Sequence, residues 1–210
     1  MSGKLKLGVL ASGRGSNLQS IIDRCAAGTI DAEVAVVISD MPAAYALERA
    51  RQAGIPALGI DRKQFPDRES FDRSVAAELQ AYGVELLILA GYMRIMTEVL
   101  VTPYLGRMMN IHPALAPAFS GKGMHGIRVH EAVLDYGAKI TGLTVHFVEL
   151  EVDMGPIILQ RCVPVREDDT PETLSARVLI EEHEVYPEAI QLYAQGRLRI
   201  EGRCVRVLPE

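Results

Sequence analysis

Short, continuously apolar, β-branched runs alternate along the chain with longer amphipathic ones: "LKLGVLAS" precedes "NLQSIIDRCAAG", "EVAVVISD" precedes "AYALERARQAG", "PALGID" precedes "DRESFDRSVAAELQAYG", and "VELLILAG" follows. Runs that are apolar at every position predict strands buried on both faces, and the longer runs predict helices, which gives a βαβαβαβ order. Right-handed crossovers then place helices on both faces of a parallel sheet. Gly28, Gly54 and Gly83 each close a helical run, where a left-handed residue ends the last turn. The expected fold is α/β, a doubly wound, Rossmann-like, mostly parallel sheet.

Past about residue 108 the pattern changes. "MMNIHPALAPAF" leads into a loop rich in Gly and His and a helix, "VHEAVLDYG". "KITGLTVHFVELEVDMGPIILQRCVPV" reads as two long strands joined by a turn over 153–156. The long helix "TPETLSARVLIEEHEVYPEAIQLYAQG" and the strand pair "RLRIEGRCVRVL" complete a C-terminal antiparallel extension. No repeat, low-complexity tract or polar linker interrupts the sequence, so residues 1–210 are expected to form a single domain, with an N-terminal half of about 1–108 and a C-terminal half of about 109–210.

Composition narrows the function classes. With 210 residues, 49% of them hydrophobic, the chain can bury a substantial core. A net charge of -5 without a Lys/Arg cluster argues against a nucleic-acid partner. Cys25, Cys162 and Cys204 show no C-x-x-C spacing, so neither a disulfide framework nor a metal site is expected. Glycine interrupts the N-terminal apolar run too early for a secretory leader, and no apolar run reaches the roughly 20 residues that span a bilayer. These features point to a cytoplasmic protein acting on small molecules.

Candidate chemistry begins at "LASGRGSNLQ", between the first strand and the first helix. A dinucleotide fingerprint needs a third glycine where this chain has Leu18, and a triphosphate loop needs a lysine that is absent. What remains is a tight glycine turn at Gly13 and Gly15 running into a helix that starts with Ser16 and Asn17. Free N–H groups, a hydroxyl and an amide there suit one phosphate. The simpler alternative is a strand-to-helix turn with Ser16 as the helix cap.

Asn110 and His112 are a second departure from the core pattern. They stand two apart at the end of a predicted strand, on one face, where open parallel sheets bind ligands. An imidazole can move a proton near neutral pH and a carboxamide can donate to an oxyanion, a pairing suited to acyl transfer. A buried structural histidine and a turn asparagine are the plainer alternative. In "ELEVDMGP", alternation puts Glu149, Glu151 and Asp153 on one face, and a turn folding over the sheet edge would bring Asp153 to His112 and raise its pKa. His125, His130, His146 and His183 read more simply as structural or surface residues.

Five segments, "VLASGRGSNLQSII", "LAGYMRIM", "NIHPALAPAF", "VHFVELEVDMGPIILQ" and "EEHEVYPEAI", in this order resemble the phosphoribosylglycinamide formyltransferase family of purine synthesis, nearly end to end. By that resemblance Gly15, Ser16 and Asn17 hold the 5-phosphate of glycinamide ribonucleotide, and Glu182 contacts the same substrate. The formyl-folate site falls on Arg68, on Tyr92, Met93, Arg94, Ile95 and Met96, on Asn110, and on Glu149, Leu150, Glu151 and Val152. Asn110, His112 and Asp153 match the catalytic trio, which implies direct amine attack, a tetrahedral oxyanion stabilised by Asn110 and protonated His112, and a proton for the departing N10 from His112 or a water held by Asp153. The co-substrate implied is 10-formyltetrahydrofolate, without a metal, and the assembly is a monomer or homodimer. Ala114, Ala116 and Met154 depart from residues common in the family, and the loop around His125 takes a longer form. The competing readings are a formyltetrahydrofolate hydrolase-like enzyme and a non-catalytic dinucleotide-binding module with Asp40 as ribose ligand.

Overall fold

The computed structural model describes residues 3–209. The chain folds as two compact units, Met1–Met109 and Asn110–Glu210. The boundary falls inside a strand, and each unit is built around its own part of the secondary structure.

The first unit carries β1 (Leu5–Leu10), α1 (Ser16–Ala26), β2 (Ala32–Ser39), α2 (Tyr45–Gln52), β3 (Ala57–Gly59), α3 (Arg68–Ala81), β4 (Leu86–Leu89) and the short α4 (Glu98–Val101). Its strands lie in the order β3-β2-β1-β4, and the β1/β2, β1/β4 and β2/β3 pairings are all parallel. The chain thus starts in the middle of its sheet and winds outward both ways, as the alternating pattern predicts. β4 is buried at every position, and so is the second half of β1. Apolar side chains on both faces of a strand require cover on both faces. On α1 the buried Leu18, Ile21 and Ile22 form the apolar stripe of one helix face.

The second unit holds the end of β5 (Met108–His112), then α5 (Ile127–Asp135), β6 (Ile140–Phe147), β7 (Ile157–Pro164), α6 (Pro171–Ala194), β8 (Leu198–Glu201) and β9 (Cys204–Val207). The strand order is β5-β6-β7-β9-β8; β6/β7 and β8/β9 are antiparallel, and β7/β9 is parallel. The expected mixed α/β fold with an antiparallel C-terminal part is therefore borne out. Helix α6 packs on β6, β7 and α5. Its first turn is secured by a capping box between Thr170 and Thr173 and by a two-pronged Arg177–Asp169 pair at 2.5 and 2.8 Å. Among the described residues no helix is long and apolar enough to cross a membrane.

The structure corrects the expectation for the β6/β7 hairpin. The first long strand of the "KITGLTVHFVELEVDMGP" hairpin ends at Phe147, so Glu149, Leu150, Glu151 and Val152 lie in an exposed loop and not on an alternating strand face. Two local features stop the ladder. Asp153 takes a left-handed backbone, φ 57°, which a strand cannot contain. Gly155 passes so close to the Phe147 carbonyl that a side chain there would collide with it.

Candidate active site

At the end of β1 the chain turns through Gly13–Gly15 into α1. Gly15 is the helix cap, with φ 69° and no side-chain capping bond, so Ser16 is the first helical residue and not the cap. A Cβ at Gly15 would sit 2.8 Å from Ala46 Cβ and 2.9 Å from its Cα, so α2 leaves room only for glycine. The turn is fixed from α2 as well: Ala46 N–H donates to Gly13 O at 3.0 Å and Arg49 Nε to Arg14 O at 2.8 Å. Ser16 and Asn17, both half-buried, follow this rigid corner at the positive end of the α1 dipole.

The segment 91–96 after β4 has no regular secondary structure; Met93 and Ile95 are exposed, whereas Tyr92, Arg94 and Met96 are half-buried. Burial, together with the charges of Asp40 and Asp72, pushes the Tyr92 phenol far above its usual range, and its hydroxyl has no hydrogen-bond partner among the described residues. Arg94 is engaged by Asp40 at 3.8 Å and lies over the Phe71 ring. Arg68, exposed at the first position of α3 just after its Asp67 cap, opens onto solvent beside Glu69 and Thr97. Asp40 gives one oxygen to Ser12 Oγ and the other to Arg94, so it is not presented as the ribose ligand that a dinucleotide module needs.

In the second unit three of the expected residues meet. Asp153 Oδ2 lies 3.6 Å from His112 Nδ1, and Asn110 Nδ2 lies 3.5 Å from Asp153 Oδ1. Asn110 and His112 come from the last residues of β5, and the left-handed turn at Asp153 aims its carboxylate back at them. The Gly121 N–H donates to Asp153 Oδ2 at 3.0 Å, and Arg203 Nη2 donates to the Met154 carbonyl at 2.9 Å; between them they clamp the turn. Glu182 is buried on α6.

His146, read from the sequence as a structural strand residue, belongs to this cluster. Its Nδ1 is 2.8 Å from the Phe147 carbonyl, which can only accept, so Nδ1 carries the proton. In the neutral ring Nε2 is then an acceptor, and Asn110 Nδ2 faces it at 3.3 Å. His146 Nε2 and Asp153 Oδ1, 3.3 and 3.5 Å from the same Asn110 Nδ2 and 3.6 Å from each other, together orient the Asn110 amide. The signal available in the sequence was an ionisable residue inside a mainly apolar strand run.

His112 is similarly defined. Its Nε2 is 2.8 Å from the Phe119 carbonyl and so is the protonated nitrogen, leaving Nδ1 toward Asp153. Burial is the largest influence on this imidazole and lowers its pKa; Asp153 and the Phe119 carbonyl oppose it without prevailing. The expected upward shift is thus overridden, and burial favours the neutral ring. Burial alone would raise the Asp153 carboxyl, but His146, His112 and the Gly121 N–H outweigh it and hold it below the usual carboxylate range. His130 on α5, 2% exposed, is pushed down to about 4 by burial and by His112.

The segment that follows His112 is held by Thr144. Its hydroxyl donates to Ala114 O at 2.7 Å and accepts from Ala116 N at 2.9 Å, while Gln160 Nε2 reaches both Ala116 O and Thr144 Oγ1 at 3.0 Å. These bonds fix the turn out of the site. His125 is exposed on the loop beyond.

A carboxylate, a carboxamide and an imidazole around one point have the chemistry to pass a proton and to donate to an oxyanion. Residues 5–190 match the formyl transferase family. Phosphoribosylglycinamide formyltransferase of Escherichia coli (strain K12) is 43% identical over 192 residues, 91% of this chain and 88% of that protein. The trifunctional purine biosynthetic protein adenosine-3 of Bos taurus is 44% identical over 197 residues, 94% of this chain; the chain spans only 19% of that relative. Among solved structures, glycinamide ribonucleotide transformylase 1 from Symbiobacterium toebii superposes with a TM-score of 0.95 at 52% identity, covering 100% of this chain and 96% of that one. The chain belongs to the formyl transferase family. The likeness to phosphoribosylglycinamide formyltransferases, first visible in the five sequence segments, is borne out by these relatives.

Proposed function

We propose that the protein transfers the formyl group of 10-formyltetrahydrofolate to the amine of glycinamide ribonucleotide in purine synthesis. The observation that carries this reading is the meeting of Asn110, His112 and Asp153 within 3.6 Å, on a chain whose relatives are named for this reaction. Gly15, Ser16 and Asn17 take the ribonucleotide's phosphate, with Glu182 on the same substrate. Tyr92–Met96, Arg68, Asn110 and the loop from Glu149 to Val152 take the folate. The exposed Met93, Ile95, Leu150 and Val152 offer apolar surface to a pterin, and Arg68 and Arg94 suit an anionic tail.

In the reaction the amine nitrogen bonds to the formyl carbon and the carbonyl electron pair moves to oxygen. Asn110 donates to that oxyanion. Its present contacts, 3.3 Å to His146 and 3.5 Å to Asp153, are long, and a charged acceptor at normal distance displaces them readily. The neutral His112 collects the proton the amine loses, and the nearby Asp153 carboxylate stabilises the imidazolium while it lasts. Collapse re-forms the carbonyl, breaks the bond to N10, and returns the proton to that nitrogen. The amine and formyl group need only alignment and proton management, so the residues at hand supply the whole path.

A spectroscopic assay of the folate product, run with and without glycinamide ribonucleotide, tests this. Turnover that requires the ribonucleotide is expected. Formate release at the same rate without it would instead identify a hydrolase.

A further inference from the structure

The ends of three chain segments in the first unit meet at one buried carboxylate. Asp40 follows β2 and is 8% exposed. Ser12, just beyond β1 and directly before the Gly13–Gly15 corner, donates its hydroxyl to Asp40 Oδ1 at 2.6 Å. The same hydroxyl accepts the Met93 N–H at 3.0 Å, and the Ser12 N–H donates to the Gly91 carbonyl at 3.1 Å. Arg94 lies 3.8 Å from the other oxygen of Asp40, and its guanidinium stacks 5.1 Å from the Phe71 ring centroid. With no helix or strand over 91–96, these contacts set the path of that segment.

We propose that Asp40 is a positioning residue for the formyl-donor loop, acting through Ser12 and Arg94; this rests on the reading of Tyr92–Met96 as part of the folate site. The logic lies in the chemistry of the groups. A carboxylate only accepts, so it obliges the Ser12 hydrogen to point at it and leaves a Ser12 lone pair for Met93 N–H. An amide at position 40 could offer N–H instead, which frees the Ser12 hydroxyl to rotate away from the orientation that presents its lone pair to Met93 N–H. The charge on Asp40 also holds the Arg94 guanidinium in one orientation, with Phe71 behind it. Ser12 thus ties the 91–96 segment to Asp40 through Met93 N–H and Gly91 O.

The test is steady-state kinetics of Asp40→Asn, Ser12→Ala and the double variant with both substrates, alongside thermal melts. The KM for 10-formyltetrahydrofolate should rise about tenfold in each single variant, the scale of one charge-assisted hydrogen bond, with kcat and the ribonucleotide KM within about twofold of wild type. The double variant should be no worse than the worse single one, because both changes break the same bridge. A merely structural role would lower the melting temperature without this selective rise. An unchanged donor KM in a folded single variant, or effects that multiply in the double, would overturn the inference. Should Asp40→Asn fail to fold, Ser12→Ala alone decides by the same criterion. A wild type that does not formylate the ribonucleotide would instead overturn the functional reading beneath it.

Discussion

Replacing Gly15 with alanine tests whether the corner before α1 is as constrained as its geometry requires. Two costs add. The backbone sits at φ 69°, where an L-residue with a Cβ is disfavoured by about 1–2 kcal/mol. The new Cβ would also lie 2.8 Å from Ala46 Cβ and 2.9 Å from Ala46 Cα, and the second of these is backbone of a helix that cannot rotate away. Relieving such a clash costs about 1–3 kcal/mol, so the variant should lose about 2–5 kcal/mol of stability. Against a total of about 5–15 kcal/mol that is a large fraction. Gly13, one residue before Arg14 in the same turn, is the control: nothing lies within 4 Å of a Cβ there, so Gly13→Ala should be nearly neutral. Urea unfolding of both variants provides the comparison, with equal m-values required. If the two midpoints shift alike, the argument from close approach of α2 is wrong.

Three further outcomes are expected. Ser16→Ala should raise the KM for glycinamide ribonucleotide about ten- to hundredfold with kcat nearly unchanged, since a hydroxyl bonded to a phosphate contributes about 1.5–3 kcal/mol; an unchanged KM would remove Ser16 from the phosphate site. His146→Ala should lower kcat by about tenfold or more by freeing the Asn110 amide to turn, with less effect on either KM, as initial rates at saturating substrates will show. His130, held down at about 4 from the usual 6.5, stays neutral in the folded protein while the unfolded chain protonates. Its contribution is intact above about pH 6.5 and is lost as pH falls toward 4, by up to about 3 kcal/mol. Denaturant titrations between pH 7 and 4.5 should therefore show a shallower loss in His130→Gln, and parallel curves would refute this.

The periodicity of the chain exposed much of the fold because the strands of the first unit are apolar over most of their length and its helices are striped. It also singled out the Gly13–Gly15 corner and Asn110 and His112, since polar residues stand out at the end of an apolar run. Other features escaped it for physical reasons. His146 sits inside a strand, where one polar side chain is indistinguishable from a satisfied core residue until its neighbours are known. The 149–152 loop alternates like a strand, but its conformation is dictated by the left-handed Asp153 and the close pass of Gly155 against Phe147, neither of which leaves a periodic trace. The Ser12–Asp40–Arg94 bridge joins residues 28 and 54 apart through three separate segments, so no local pattern contains it. The direction of the His112 shift depends on a balance between burial and a carboxylate 3.6 Å away, and both of these exist only once the chain has folded.

The account turns on proton handling by His112 beside an ionised Asp153, and the turnover number of Asp153→Asn at saturating concentrations of both substrates measures this most directly. The amide keeps the shape of the side chain and its reach to Gly121 but cannot stabilise an imidazolium, so kcat should fall by about a hundredfold or more while the protein melts as a folded globule. A kcat within about twofold of wild type would contradict the mechanism.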